Sequence, residues 1–188
     1  MSQNVVLLDR DGVINHDSDD YILSPDAWQP VSGSLEAIAD LTQAGLALFV
    51  ITNQSALHRG YIDSSVLAAI HARMLRMVAE HGGRLVDIFF CPHRPDESCS
   101  CRKPRQGMIT QLAAKYPHHD LAQAFFVGDT MKDIQLAKAI QAQPLLVRTG
   151  KGRKTETLCA EALTNVPIFA NLRQAADQYI LPRVAACC

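Results

Sequence analysis

The stretch Val5-Val6-Leu7-Leu8-Asp9-Arg10-Asp11-Gly12-Val13 decides how the rest of the chain reads. Four apolar residues without alternation describe a strand covered on both faces, as in a parallel sheet. The strand runs straight into two acids at i and i+2, which an extended chain projects to one side. Gly12 allows a sharp backbone turn behind them. In open α/β sheets ligands bind beyond the carboxyl ends of the strands, so Asp9 and Asp11 stand where a cation site belongs. An isolated D-x-D-G is as often a loop that merely caps a strand. The remainder of the chain tips the balance.

Outward from that strand, strand and helix patterns alternate to the end, the mark of a mainly parallel sheet with flanking helices. A polar loop from His16 to Pro30 comes first, then a helix with Ser34 as its N-cap and Gly45 as its stop. Further strands are expected at Leu46–Thr52, Val86–Cys91, Ala124–Val127 and Leu145–Val147, with a short one at Pro167–Ala170. Helices are expected at Ser64–His81, at Gly107–Tyr116, from Thr130 to Ile140, and more weakly in the segment 153–188. The fold class is therefore α/β, a Rossmann-like three-layer αβα sandwich. The gaps from Asp11 to Thr52 and from Gln54 to Lys103 leave no room for a folded cap. One domain, 1–188, is expected, its site screened only by the loops at Asp17–Tyr21, Ala56–Tyr61 and Arg94–Cys101.

Composition narrows the function. A 188-residue chain that is 48% hydrophobic supports a core, and a net charge of −1 gives no field for nucleic acid. The first apolar run is too short for a signal peptide, and no run is long enough to cross a bilayer. The six cysteines cluster instead of pairing at intervals, which favours metal binding in a reducing cytoplasm over a disulfide framework. Of these, Cys187 and Cys188 read as a frayed tail and Cys159 as a small apolar residue. The histidines His71, His81, His118 and His119 need no functional reading, the last two as solvated turn residues. Trp28 reads as a loop anchor.

Four strand ends carry polar groups: Asp9 and Asp11, Thr52 and Asn53, Lys103 beyond the third strand, and Asp129 with Asp133. A phosphoryl group needs positioning, charge neutralisation and an in-line nucleophile, and a carboxylate can be that nucleophile. An anion attacking an anion calls for a divalent cation, and Mg²⁺ takes oxygen ligands. Asp9, Asp11 and Asp129 are the expected ligands, with Asp133 behind them. Lys103 adds charge across the phosphate, and Thr52 and the amides after it donate to its oxygens. Asp11 is placed to serve as acid and then base. Singly, each residue is more often structural; the set in this order is not.

A second constellation is Cys91-Pro92-His93 followed by Cys99-Ser100-Cys101. Three thiols and an imidazole can close a tetrahedral Zn²⁺ shell with no open position, hence a structural zinc loop over 91–101. Arg102 and Lys103 follow at once, so the loop would project both toward the site.

Asp9-x-Asp11-x-Val13, Thr52-Asn53-Gln54, Lys103 and Gly128-Asp129-x-x-x-Asp133 resemble the four motifs of the haloacid dehalogenase-like phosphatases, over roughly Val5 to Gly152. The resemblance implies Mg²⁺, Asp9 as nucleophile, Asp11 as acid and base, Thr52 and Lys103 as phosphate stabilisers and Asp129 as a metal ligand. The zinc loop with Cys101-Arg102-Lys103-Pro104 is similar to that of the branch containing the heptose 1,7-bisphosphate 7-phosphatases and the histidinol-phosphate phosphatases. It implies a small phosphorylated sugar substrate, no nucleic-acid or membrane partner, and a monomeric cytoplasmic enzyme feeding lipopolysaccharide biosynthesis. Substrate contacts would fall to Asp17, Tyr21, Asn53, Gln54, Ser55 and Arg102. Ala56 and His58 depart from the branch's usual Gly and Ala, where the sugar would lie. Besides histidinol phosphate as substrate, the competing reading is a catalytically silent, zinc-ordered binding protein.

Overall fold

The computed structural model describes residues 5–186; Cys187 and Cys188 lie outside them. Strand β1 (Val5–Leu8) is fully buried and occupies the interior of a six-stranded sheet ordered β3-β2-β1-β4-β5-β6. Its neighbours are β2 (Ala47–Asn53), with Leu8 beside Val50, and β4 (Phe125–Gly128), with Leu8 beside Val127. β3 (Asp87–Cys91), β5 (Gln143–Val147) and the two-residue β6 (Ile168–Phe169) complete the sheet, every pairing parallel. The strands add outward in both directions from β1, which makes its carboxyl end the topological switch point where ligands settle.

The lack of alternation in β1 has a simple cause: both faces are covered. Val6 and Leu8 join one core with α1 (Ser34–Gln43), α2 (Ser64–Glu80) and the C-terminal helical segment. Val5 and Leu7 join the other, under α3 (Gly107–Lys115) and α4 (Met131–Ala139). A third cluster gathers Ile134, Leu146, Leu163 and Val166, and α5 (Gly152–Leu158) connects β5 toward this part of the chain. The C-terminal segment is helical over α6 (Leu172–Ala175), a π-helical turn (Ala176–Ile180) and α7 (Leu181–Ala185). Among the described residues no folded cap is inserted between β1 and β2 or between β2 and β3, and no helix is long and apolar enough to cross a membrane.

Two local expectations are corrected. Gly33, at φ +79°, is the N-cap of α1, while Ser34 is buried inside the helix and donates its hydroxyl to the Ile14 carbonyl at 2.7 Å. That bond ties α1 to the loop behind the acids, a tertiary demand that capping preference alone does not foresee. His119 is not a solvated turn residue; its ring packs edge-on against Phe49, 5.3 Å between centroids. Trp28 is fully buried, as a loop anchor should be.

Candidate active site

The site lies in a cavity of about 240 Å³ at the carboxyl end of β1, lined by Asp9, Asp11, Thr52, Lys103, Asp129 and the three flanking loops. Asp9 leaves β1 with its amide still bonded to Val127, so the sheet fixes its backbone. Lys103 Nζ stands 2.9 Å from Asp9 Oδ1 and 2.7 Å from Asp133 Oδ1, and donates to the Ile51 carbonyl at 2.7 Å. Lys103 is 3% exposed, so its ammonium is held by these three groups and not by water.

Asp129 follows β4 and is clasped by backbone. Lys151 donates its amide to Oδ2 at 2.7 Å, and a methyl group on either Gly12 or Gly150 would collide with that same oxygen. Asp133 is aimed by a capping box at the start of α4, where Oδ2 accepts from the Thr130 amide at 3.0 Å and its hydroxyl at 2.6 Å. Carboxylate oxygens of Asp9, Asp129 and Asp133 all lie within 4.8 Å of one another. Burial, resisted by Lys103 and reinforced by Asp133, drives Asp9 up to about 7. Burial again, with Asp9 and then Asp133 adding to it, drives Asp129 up to about 8. Burial alone would lower Lys103, but Asp133 and Asp9 outweigh it and leave its pKa raised. Three buried acids facing one ammonium are short of positive charge. A hard divalent cation with oxygen ligands is what such a donor set fits.

The Asp11 carboxylate does not join that cluster. Its oxygens accept instead from Arg10, from Asn15 Nδ2 at 2.9 Å and from Gln54 Nε2 at 2.8 Å. Burial opposes the charge on Asp11, but Arg10, Asn15 and Gln54 outweigh it and hold the carboxyl below its usual range. Asp133, placed behind the ligands by sequence, is the acid brought alongside Asp9 and Asp129.

Asp17, Tyr21, Asn53, Gln54, Ser55 and Arg102, the six residues read as substrate contacts, all line the cavity. Asn53 is used internally, its Oδ1 accepting the Lys103 amide at 3.0 Å and its Nδ2 donating to the Lys103 carbonyl at 3.4 Å. Gln54 likewise engages Arg10, Asp11 and Thr52 with its side chain. Both amides thus line the cavity with their side chains already bonded to neighbouring motif residues. Three cations that sequence reasoning did not assign to the site, Arg59, Lys132 and Lys151, also line it. Lys151 pairs with Asp17 at 3.0 Å, and only the Lys-flanking glycine turn hinted at it.

The screening loops touch one another. Tyr21 packs on Tyr61 at 5.4 Å and lies 6.0 Å from the Arg59 guanidinium. His58, one of the two departures from the branch pattern, bonds Glu97 at 3.1 Å and packs on His93. In the loop over 91–101 the side chains of Cys91, His93, Cys99 and Cys101 converge. Cys91 Sγ lies 3.1 Å from Cys101 Sγ and 3.7 Å from Cys99 Sγ, and His93 Nδ1 lies 3.2 Å from Cys101 Sγ. The Cys91–Cys99 spacing matches the edge of a tetrahedral shell with arms of about 2.3 Å, and the shorter ones keep all four donors within reach of a single ion. Arg102 Nη1 donates to the His93 carbonyl at 2.9 Å, so the loop holds that guanidinium at the cavity wall.

A parallel α/β fold whose central strand ends in this acid cluster, opposed by a buried lysine and a threonine, defines a Mg²⁺-dependent phosphoric monoester hydrolase. Residues 100–175 match the HAD-hydrolase-like family model. The D-glycero-beta-D-manno-heptose-1,7-bisphosphate 7-phosphatase of Pseudomonas aeruginosa is 52% identical over 82% of this chain and 86% of its own. The enzyme of that name from Neisseria meningitidis serogroup A is 42% identical over 97% of each. The chain belongs to the D-glycero-beta-D-manno-heptose-1,7-bisphosphate 7-phosphatase family of HAD-like hydrolases. The D,D-heptose 1,7-bisphosphate phosphatase of Bordetella bronchiseptica, crystallised with magnesium and phosphate, superposes with a TM-score of 0.89. It shares 43% identity over 96% of this chain and 99% of that one.

Proposed function

We propose that this protein removes the 7-phosphate of D-glycero-β-D-manno-heptose 1,7-bisphosphate, acting as a single-domain cytoplasmic monomer. The observation that carries the chemistry is Asp9 at the end of β1, 2.9 Å from Lys103 and within 4.8 Å of Asp129 and Asp133. The name shared by the relatives above supports the sugar. Asp9 attacks phosphorus in line, while Lys103 neutralises an equatorial oxygen and Thr52 donates to another. Asp11 gives the leaving oxygen its proton and later takes one from the attacking water. Asp9 and Asp129, braced by Asp133, would hold Mg²⁺, which when bound would supply the remaining charge neutralisation. Zn²⁺ on Cys91, His93, Cys99 and Cys101 is the structural metal in this reading. A silent binding protein is disfavoured because no motif residue is missing and the acids are gathered.

Two measurements test it. Wild-type turnover of heptose 1,7-bisphosphate should exceed that of histidinol phosphate, and the reverse order would overturn the substrate. Asp9→Asn should abolish turnover with an unchanged circular dichroism spectrum; retained turnover would overturn the nucleophile.

A further inference from the structure

Arg10 stands between the two motif acids and is only 1% exposed. Its Nε and Nη2 reach Asp11 Oδ1 at 3.2 and 3.0 Å, and Nη2 also meets Asp11 Oδ2 at 3.1 Å and Gln54 Oε1 at 2.9 Å. Gln54 closes the ring, donating from Nε2 to Asp11 Oδ2 and to Thr52 Oγ1, both at 2.8 Å. The orientation of the Gln54 amide is fixed by its partners, since Arg10 can only donate and an ionised Asp11 can only accept. Thr52 Oγ1 is therefore an acceptor toward Gln54, and its own hydrogen is left for a phosphate oxygen. Burying a guanidinium is costly, and packed apolar residues usually serve stability at least as well. A buried ring of this kind beside reacting groups is better explained by what it orients.

We propose that Arg10 is a positioning residue, which through Asp11 and Gln54 sets the direction of the proton-transferring carboxylate. The proposal rests on Asp11 being that group, as in the function proposed above. In the first half-reaction Asp11, ionised at rest, takes the proton of a monoanionic phosphate ester; an Asp9 oxygen bonds to phosphorus as the bond to the leaving oxygen breaks, and the leaving oxygen takes that proton from Asp11. In the second, a water oxygen bonds to phosphorus as the Asp9 oxygen leaves, and Asp11 takes the water proton. A p-nitrophenolate leaving group needs no proton, so with that substrate a misdirected Asp11 slows the second half-reaction alone.

The test is rapid-quench kinetics of wild type, Arg10→Met and Arg10→Lys on p-nitrophenyl phosphate with Mg²⁺. Arg10→Met should lower kcat about tenfold or more, change KM less than about threefold, and raise the nitrophenolate burst toward about one equivalent per site. Arg10→Lys, which keeps the charge but loses the fork, should recover part of kcat. Wild-type kcat in Arg10→Met, or a loss of kcat with no larger burst, would overturn the proposal. If Arg10→Met does not fold, Gln54→Met decides, since cutting the ring there must also enlarge the burst. A wild type that forms no phosphoenzyme would instead remove the underlying mechanism, whatever the variants do.

Discussion

Gly12 and Gly150 approach the Asp129 carboxylate so closely that neither can carry a side chain. The sequence justified Gly12 as a turn after the acids, and its φ of +83° agrees. That it also makes room for an acid more than a hundred residues later is a tertiary fact with no local signature. Arg10 was hidden for a different reason, because a residue between two acids reads as a spacer. His71 was legible only as an unremarkable position on α2, yet it is buried against the same layer and its Nε2 has no partner among the described residues. Burial first, and Arg10 second, push it down to about 4 from an ordinary 6.5. A lowered histidine stays neutral in the folded protein while the unfolded chain takes a proton, so stability falls as pH drops from about 6.5 to about 4. The span corresponds to roughly 3 kcal/mol. Urea unfolding of wild type and His71→Met across that window should show the wild type losing that much more. Parallel curves would mean that His71 is not held neutral.

Among the elements, the loop between β3 and α3 was the most legible part of the site. All four proposed zinc ligands lie within eleven residues, so the spacing carries the geometry. What spacing could not carry is the contact of this loop with its neighbours through His58, Glu97 and His93. Arg102 depends on the loop through the His93 carbonyl, while the Lys103 backbone is tied to the end of β2 by the Asn53 side chain. Stripping zinc with a thiol-compatible chelator, then restoring Mg²⁺, should raise KM for the bisphosphate about tenfold or more while Mg²⁺ affinity changes little. Unchanged KM together with unchanged protease resistance of 92–100 would refute zinc as the clamp.

At the level of the molecule, the α/β class and the strand positions followed from apolar runs that the sheet buries on both faces. The C-terminal segment was read only as weakly helical, because residues 172–185 mix one buried stripe with a π-helical turn that breaks the usual period. Leu172 and Ile180 are nevertheless fully buried in the same core as α1 and α2, and Arg173 reaches Asp40 at 2.7 Å. Truncation after Ala170 should therefore cost about 3–6 kcal/mol from those two side chains alone, a large share of a typical domain's stability. A urea midpoint unmoved by the truncation would show the segment to be a passive tail.

The central place of β1 also bears on how the protein comes off the ribosome. Of the six described strands Val5–Leu8 is the first to emerge, but one of its flanks waits for Phe125–Gly128, more than a hundred residues of translation later. Over those several seconds the nascent chain has β2 and β3 to one side of β1 and nothing on the other. Asp9 thus acquires its final surroundings only when the segment bearing Asp129 has been made and slots in alongside.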